Sequence, residues 1–235
     1  MRHGMLLMCS LFTVAIASCQ HGASNEHKNT KVALGDVDYM HSDSVNVAFQ
    51  NEYIRVKEFN LKPNEALPTH GGKTRLVYSL NDYMLEWTED DKVAGKRNWQ
   101  RGDAHVHKSD THEVKNIGTD IASYVVFERL ATALPTKTAA PKVHRLQKGS
   151  DKRLEDANFK LVEIELQPGE SQEIHTGSWR AIYALSDYTI EWKENGKTMQ
   201  KTWKAGDVHW HGPDKHAAKN VGDTTAHWLV VVVKK

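Results

Sequence analysis

The stretch Gly102-Asp-Ala-His-Val-His-Lys-Ser-Asp-Thr-His-Glu-Val-Lys-Asn-Ile-Gly118 returns later in the chain as Gly206-Asp-Val-His-Trp-His-Gly-Pro-Asp-Lys-His-Ala-Ala-Lys-Asn-Val-Gly222. Three histidines, the opening Gly-Asp and the closing Asn recur at one spacing, His-x-His-x4-His-x3-Asn. Histidine is the commonest protein ligand of transition metals and the usual proton carrier near neutral pH. A duplicated set of this kind marks the place where function is to be sought.

Working outward, the duplication extends upstream. At an offset of 105 residues, Val56–His70 matches Leu161–His175 and Arg75–Trp87 matches Arg180–Trp192; at 104, Gly102–Gly118 matches Gly206–Gly222. Of these 45 paired positions 21 are identical, which establishes two copies of one unit. The offset changes in a loop, where length changes are tolerated. Within each unit the pattern is that of short strands. Val45, Val47 and Phe49 alternate with polar residues, and Tyr83, Leu85 and Trp87 share one face against Met84 and Glu86. Lys62-Pro63-Asn64-Glu65, Gln167-Pro168-Gly169-Glu170 and Asn195-Gly196 supply turns. No long helical period appears. Many short strands with closely spaced turns predict an all-β barrel or sandwich.

The domain plan follows. Residues 1–18 read as a signal: a short basic start, then an apolar run from Met5 to Ala17, too short to span a bilayer comfortably, where about 20 apolar residues are needed. The run ends in Ile16-Ala17-Ser18-Cys19, which resembles the bacterial lipobox. The resemblance implies a lipid anchor on Cys19, and Gln20 after it favours the outer membrane by analogy with lipoprotein sorting. Residues 19–43 are polar and predict a flexible tether. The first domain spans 44–130, a Pro- and Ala-containing linker 131–157, and the second domain 158–235. Cys9 falls in the signal, so the mature domains carry no cysteine and any metal site must use His and carboxylates. Lys and Arg number 31 against 30 Asp and Glu, which leaves no basic field for nucleic acid.

Each unit resembles a cupin, a small jelly-roll barrel. Gly102 through His112-x3-Asn116 and Gly206 through His216-x3-Asn220 look like the second cupin motif; Pro63–His70 and Pro168–His175 look like the start of the first. The chain therefore resembles a bicupin, and the fold class this implies is two tandem jelly-roll barrels. Cupins usually bind metal through two His and a Glu of the first motif and one His of the second. Here the first His persists as His70 and His175. The second ligand position holds Gly72 or Gly177, and Leu76, Val77, Ala181 and Ile182 stand where the Glu should fall.

Each unit compensates with a His pair. His105 with His107, and His209 with His211, lie two residues apart on a strand and so share one face. The metal-ligand candidates are His70, His105 and His112 in the first unit and His175, His209 and His216 in the second, with Zn, Ni, Fe, Mn or Cu as candidate ions. Arg75 and Arg180, with His107 and His211, are candidates for contacting a carboxylate or phosphate. Asn116 and Asn220 read as turn-stabilising residues, and His144 and His227 as surface. Three functions fit. The first is a membrane-tethered module binding a small polar or anionic molecule, with or without a His-bound divalent metal. The second is a metal-dependent enzyme of dioxygenase, decarboxylase or isomerase type, although an all-His set lacks the carboxylate of the 2-His-1-carboxylate iron site. The third is a structural pair of barrels whose Trp87, Trp192 and Trp210 surfaces hold a partner. No nucleophile constellation is present. Cupins often dimerise through their sheets, so the resemblance also implies a homodimer.

Overall fold

The structure, a computed structural model, describes residues 42–108, 110–131, 133–135 and 147–234. The signal, most of the tether and most of the linker, Cys19 and His144 among them, lie outside these. The described residues form strands and turns without helix. Nine strands build the first unit: β1 (Val45–Gln50), β2 (Ile54–Leu61), β3 (Ala66–Gly72), β4 (Arg75–Ser79), β5 (Tyr83–Glu89), β6 (Lys92–Trp99), β7 (Ala104–His107), β8 (Asp110–Asn116) and β9 (Ala122–Arg129). Nine more repeat the plan: β10 (Ser150–Glu155), β11 (Phe159–Leu166), β12 (Ser171–Gly177), β13 (Arg180–Ala184), β14 (Tyr188–Glu194), β15 (Lys197–Trp203), β16 (Val208–His211), β17 (Asp214–Asn220) and β18 (Ala226–Val233).

Each unit is a two-sheet jelly roll. The first pairs a five-stranded sheet, β1-β2-β9-β4-β7, with a four-stranded one, β3-β8-β5-β6; the second pairs β10-β11-β18-β13-β16 with β12-β17-β14-β15. The linker expected over 131–157 is shorter than composition suggests, because residues 150–155 form β10 and pair with β11. Its sequence, Ser-Asp-Lys-Arg-Leu-Glu, offers one apolar residue and no alternation to find it by.

Strand alternation decides what each sheet does. On β4, Val77 faces the interior of the first barrel with Phe59, Leu85, Tyr124 and Val126. Leu76 and Tyr78 face the other way and join Ile54, Val56, Val125 and Phe127. That outer layer packs on its equivalent from the second barrel, Phe159, Leu161, Ala181, Tyr183, Leu229, Val231 and Val233. The two barrels thus share a core along the backs of their five-stranded sheets, within one compact unit. Two tyrosines close the seam reciprocally: Tyr183 donates to Glu58 Oε1 at 2.6 Å, and Tyr78, at the matching place in the repeat, hydrogen-bonds Glu163. Burial pushes both phenols up, and the facing carboxylates add to it.

The repeated Gly and Asn of the motif are structural. Gly102 and Gly206 take φ of 89° and 90°, the left-handed region that favours glycine, at the turn into β7 and β16. Asn116 is wholly buried. Its Nδ2 donates to Leu61 O and Asp120 O, both at 2.8 Å, and its Oδ1 accepts from Gly118 N at 2.9 Å. Asn220 repeats all three bonds. Replacing Asn116 by Ala strands two carbonyls and an amide, so Asn116→Ala should lower unfolding stability by about 2–4 kcal/mol, read as a fall in urea midpoint at constant slope.

Candidate functional site

Both His pairs point into their barrels. In register, Arg75 on β4 lies opposite His107 on β7 and Val77 opposite His105, so the pair and the arginine share the inner face; Arg180 with His211 and Ile182 with His209 repeat this. The first barrel encloses a cavity of about 300 Å³. His70, His105, His107 and His112 all line it, with Lys57, Arg75 and Arg97 and the aromatic walls Phe59, Tyr83, Trp87, Trp99 and Tyr124. The second cavity is smaller, about 130 Å³, and is lined by His175, His209, His216 and Arg180 together with Lys160, Gln172 and apolar residues; His211 sits beside it against Trp192.

The ring contacts sort the histidines. His70 and His112 face each other across paired positions of β3 and β8, ring centres 4.9 Å apart, and His107 lies 5.9 Å from His112. His105 meets His107 edge-on at 4.5 Å and stacks on Trp99 at 4.0 Å, while the guanidinium of Arg97 covers a Trp99 ring at 3.9 Å. The second barrel repeats this sandwich with Lys201, Trp203 and His209. His175 and His216 lie 4.3 Å apart, and Trp192 stacks on His216.

The ring bonds fix protons. His70 Nδ1 lies 2.8 Å from Pro68 O and His175 Nδ1 2.7 Å from Glu173 O. A carbonyl only accepts, so Nδ1 carries the hydrogen in both, and in the neutral ring Nε2 keeps its lone pair. Burial holds His105 and His209 down to about 3 and His211 to about 4, with neighbouring rings and arginines adding to the effect on each. These imidazoles are therefore neutral at physiological pH.

The glycines at the vacated second ligand position have a physical cause. A Cβ on Gly72 would collide with the Arg75 guanidinium, and one on Gly177 would collide with that of Arg180. The arginine fills the space a larger residue would need. Its charged end reaches the second-motif histidine: Arg75 Nη2 stands 3.4 Å from His112 Nε2, and Arg180 Nη2 3.5 Å from His216 Nδ1. In the second barrel Asp214 binds both partners, Arg180 at 2.7 Å and His216 at 2.8 Å, which drives its carboxyl far below the usual range against the opposing effect of burial. A fixed cation beside the histidine suits an anion and repels a metal ion. Two imidazoles on one zinc at about 2.0–2.1 Å put ring centres about 5 Å apart, so the His70–His112 spacing suits an ion while the Arg75 guanidinium opposes one.

One group escaped sequence reasoning. Glu163, Glu165 and His227 offer ligand atoms all within 4.8 Å of one another, the trio of this kind among the described residues. His227, expected at the surface, is half-buried; it lies opposite Glu165 on neighbouring strands and 2.6 Å from Glu163. Arg153 takes the other Glu163 oxygen at 2.6 Å; together with His227 it brings that carboxyl to about 2, overcoming the upward push of burial. The trio spans two strands 60 residues apart, and the first unit has Glu58, Asn60 and Ser123 instead, so neither spacing nor repetition pointed to it. Of the three tryptophans whose exposure would have favoured a partner-binding surface, none is exposed. Trp87 lines a cavity, Trp192 covers His216, and Trp210 packs with Tyr53 and Trp179.

The depressed histidines set a pH dependence. Unfolded, they take up a proton near pH 6.5; folded, they stay neutral until about pH 3–4. The unfolded state binds more protons in that interval, so stability falls as pH drops from 6.5. Glu163 and Asp214 lose their contributions only below their unfolded values of 4.5 and 3.8. The denaturant midpoint should therefore fall between pH 7 and 5, and the double variant His105→Phe/His209→Phe should flatten that slope.

Neither a protein-family model nor a curated protein matches this chain. Solved structures match it in fold. AerE from Microcystis aeruginosa superposes with a TM-score of 0.62 at 16% identity, over 83% of this chain and 95% of that one. Oxalate decarboxylase from Bacillus subtilis, an enzyme with Mn(II) centres, gives 0.58 at 12% identity, over 78% and 68%. A cupin 2 conserved barrel domain protein from Leptotrichia buccalis gives 0.50 at 16%, over 81% and 88%. At such identities the likeness is one of fold: two tandem cupin-type jelly-roll barrels.

Proposed function

We propose that this two-barrel cupin is a binding protein of the bacterial cell envelope, held to the membrane by lipid on Cys19, whose first barrel takes a small organic anion. The observation that carries the reading is the Arg75 guanidinium seated inside a cavity of about 300 Å³ against His112. Lys57 and Arg97 add positive charge to the lining, where Glu89 is the carboxylate among the lining residues. A desolvated guanidinium binds a carboxylate or phosphate through parallel N–H donors, and the low dielectric of a barrel strengthens that bond. His70, its Nδ1 hydrogen held by Pro68 O, turns Nε2 to the hydroxyl or acid group of such a ligand.

The test is titration calorimetry of the full chain with a panel of organic acids and sugar phosphates. Arg75→Ala should weaken binding at least tenfold. Gly72→Ala should do nearly as much, since its Cβ displaces the guanidinium, while the melting temperature stays within a few degrees. Absence of binding by every member of the panel sinks the reading.

A second reading, a metal-dependent enzyme, is favoured by the carboxylate-His trio Glu163, Glu165 and His227, whose donor types suit Zn, Mn or Fe. The Mn(II) centres of the oxalate decarboxylase give the same fold a metal in another protein. Metal content by mass spectrometry separates the two. On the binding-protein reading the full chain carries well under one equivalent after dialysis, and His227→Ala changes nothing. One equivalent or more of a single metal, lost in His227→Ala, turns the search towards an enzyme.

A further inference from the structure

The two barrels differ most at one rung of their five-stranded sheets. In the first, Arg55, Glu128, Arg75 and His107 stand side by side across β2, β9, β4 and β7. In the second, the same rung reads Lys160, Val232, Arg180, His211. One step further in, Lys57 of the first barrel corresponds to Val162 of the second. Lys57 and Glu128 are almost wholly buried, at 2% and 0% exposure, with Lys57 Nζ 3.4 Å from Glu128 Oε2. Lys57 lines the cavity, and Glu128 does not.

Glu128 is well supplied. Arg55 reaches the same oxygen at 3.3 Å, and the backbone N–H of Lys73 donates to the other at 3.2 Å. Arg55 and Lys57 both meet Glu128, and Arg75 stands beside it in register on the next strand. Taking charges out of water is costly unless opposite charge meets them. The fold itself does not need the pair, because the second barrel builds the same sheet with Val162 and Val232. Replacing a buried ion pair by apolar residues is often neutral or stabilising. A pair kept in one barrel alone thus calls for a reason outside stability.

We propose that Lys57, steadied by Glu128, is the residue that sets what this molecule binds and where: one compact, planar carboxylate per chain, in the first barrel only. The proposal rests on the anion-binding reading and narrows it. The ligand's carboxylate sits between Lys57 and Arg75. Its flat body lies among Phe59, Tyr124, Tyr83 and Trp99, of which Phe59 and Tyr124 already stack at 4.8 Å. The cavity, about 300 Å³, has room for a single ring with its acid group.

The experiment uses benzoate as probe, with benzamide and inorganic phosphate beside it, in calorimetry on the full chain. The test variant is Lys57→Val/Glu128→Val, the pair with which the second barrel already folds. The expected result is one benzoate per chain for the wild type, at least tenfold weaker binding by the double variant at an unchanged melting temperature, and no binding of benzamide by either. If the double variant loses its cooperative melt, Lys57→Met carries the same comparison. Equal benzoate affinity in wild type and variant, or two benzoates per chain, overturns this inference and leaves the anion-binding reading standing. Phosphate binding without benzoate binding overturns the planar carboxylate alone. If no member of the anion panel binds, the reading itself falls and the inference with it.

Discussion

Strands β4 and β13 are buried at every position, and most of what this molecule does hangs on that two-sided burial. On each, alternate residues serve different masters. Leu76 and Tyr78, like Ala181 and Tyr183, face the seam between barrels, while Arg75 and Val77, like Arg180 and Ile182, face the cavities. A slip of one residue would thrust a guanidinium into the apolar seam and leave a leucine in the site. Register is thereby locked from both sides. The arginine, which must sit within about 3.5 Å of a histidine on another sheet, inherits that precision without a device of its own.

Gly72 and Gly177 look from sequence like simple losses. In space they are clearances, kept open for the arginine three residues on. The guanidinium charge in each barrel is then permanent. Burial keeps His105, His209 and His211 from gaining a proton within the physiological range.

The fold was legible because it is written twice. The repeated Gly-Asp, the His pairs two residues apart and the closing Asn gave each barrel and the inner face of β7 and β16. Local spacing also placed Tyr83, Leu85 and Trp87 on one face, and they point inward together. What repetition could not show was anything present once. Lys57 and Glu128 look like ordinary charged residues on alternating strands, and only their pairing across β2 and β9 buries them together. Glu163, Glu165 and His227 were hidden for the same reason. β10 was missed because its burial comes from its partner strand and not from its own composition. Sequence periodicity reports which face a residue takes; it is silent on which strand lies next to it.

The reciprocal tyrosine–carboxylate bonds at the seam have a further meaning. Tyr78 with Glu163 and Tyr183 with Glu58 obey an approximate dyad, the relation found where two copies of one chain meet through the same patch. The molecule is thus built like a homodimer joined end to end in a single polypeptide. In a true homodimer every mutation lands in both halves, so no pocket can change without its twin. Fusion removes that bond. One half can keep the shared architecture upright while the other accumulates charge and size, as the larger first cavity with its Lys57, Arg75 and Arg97 does here.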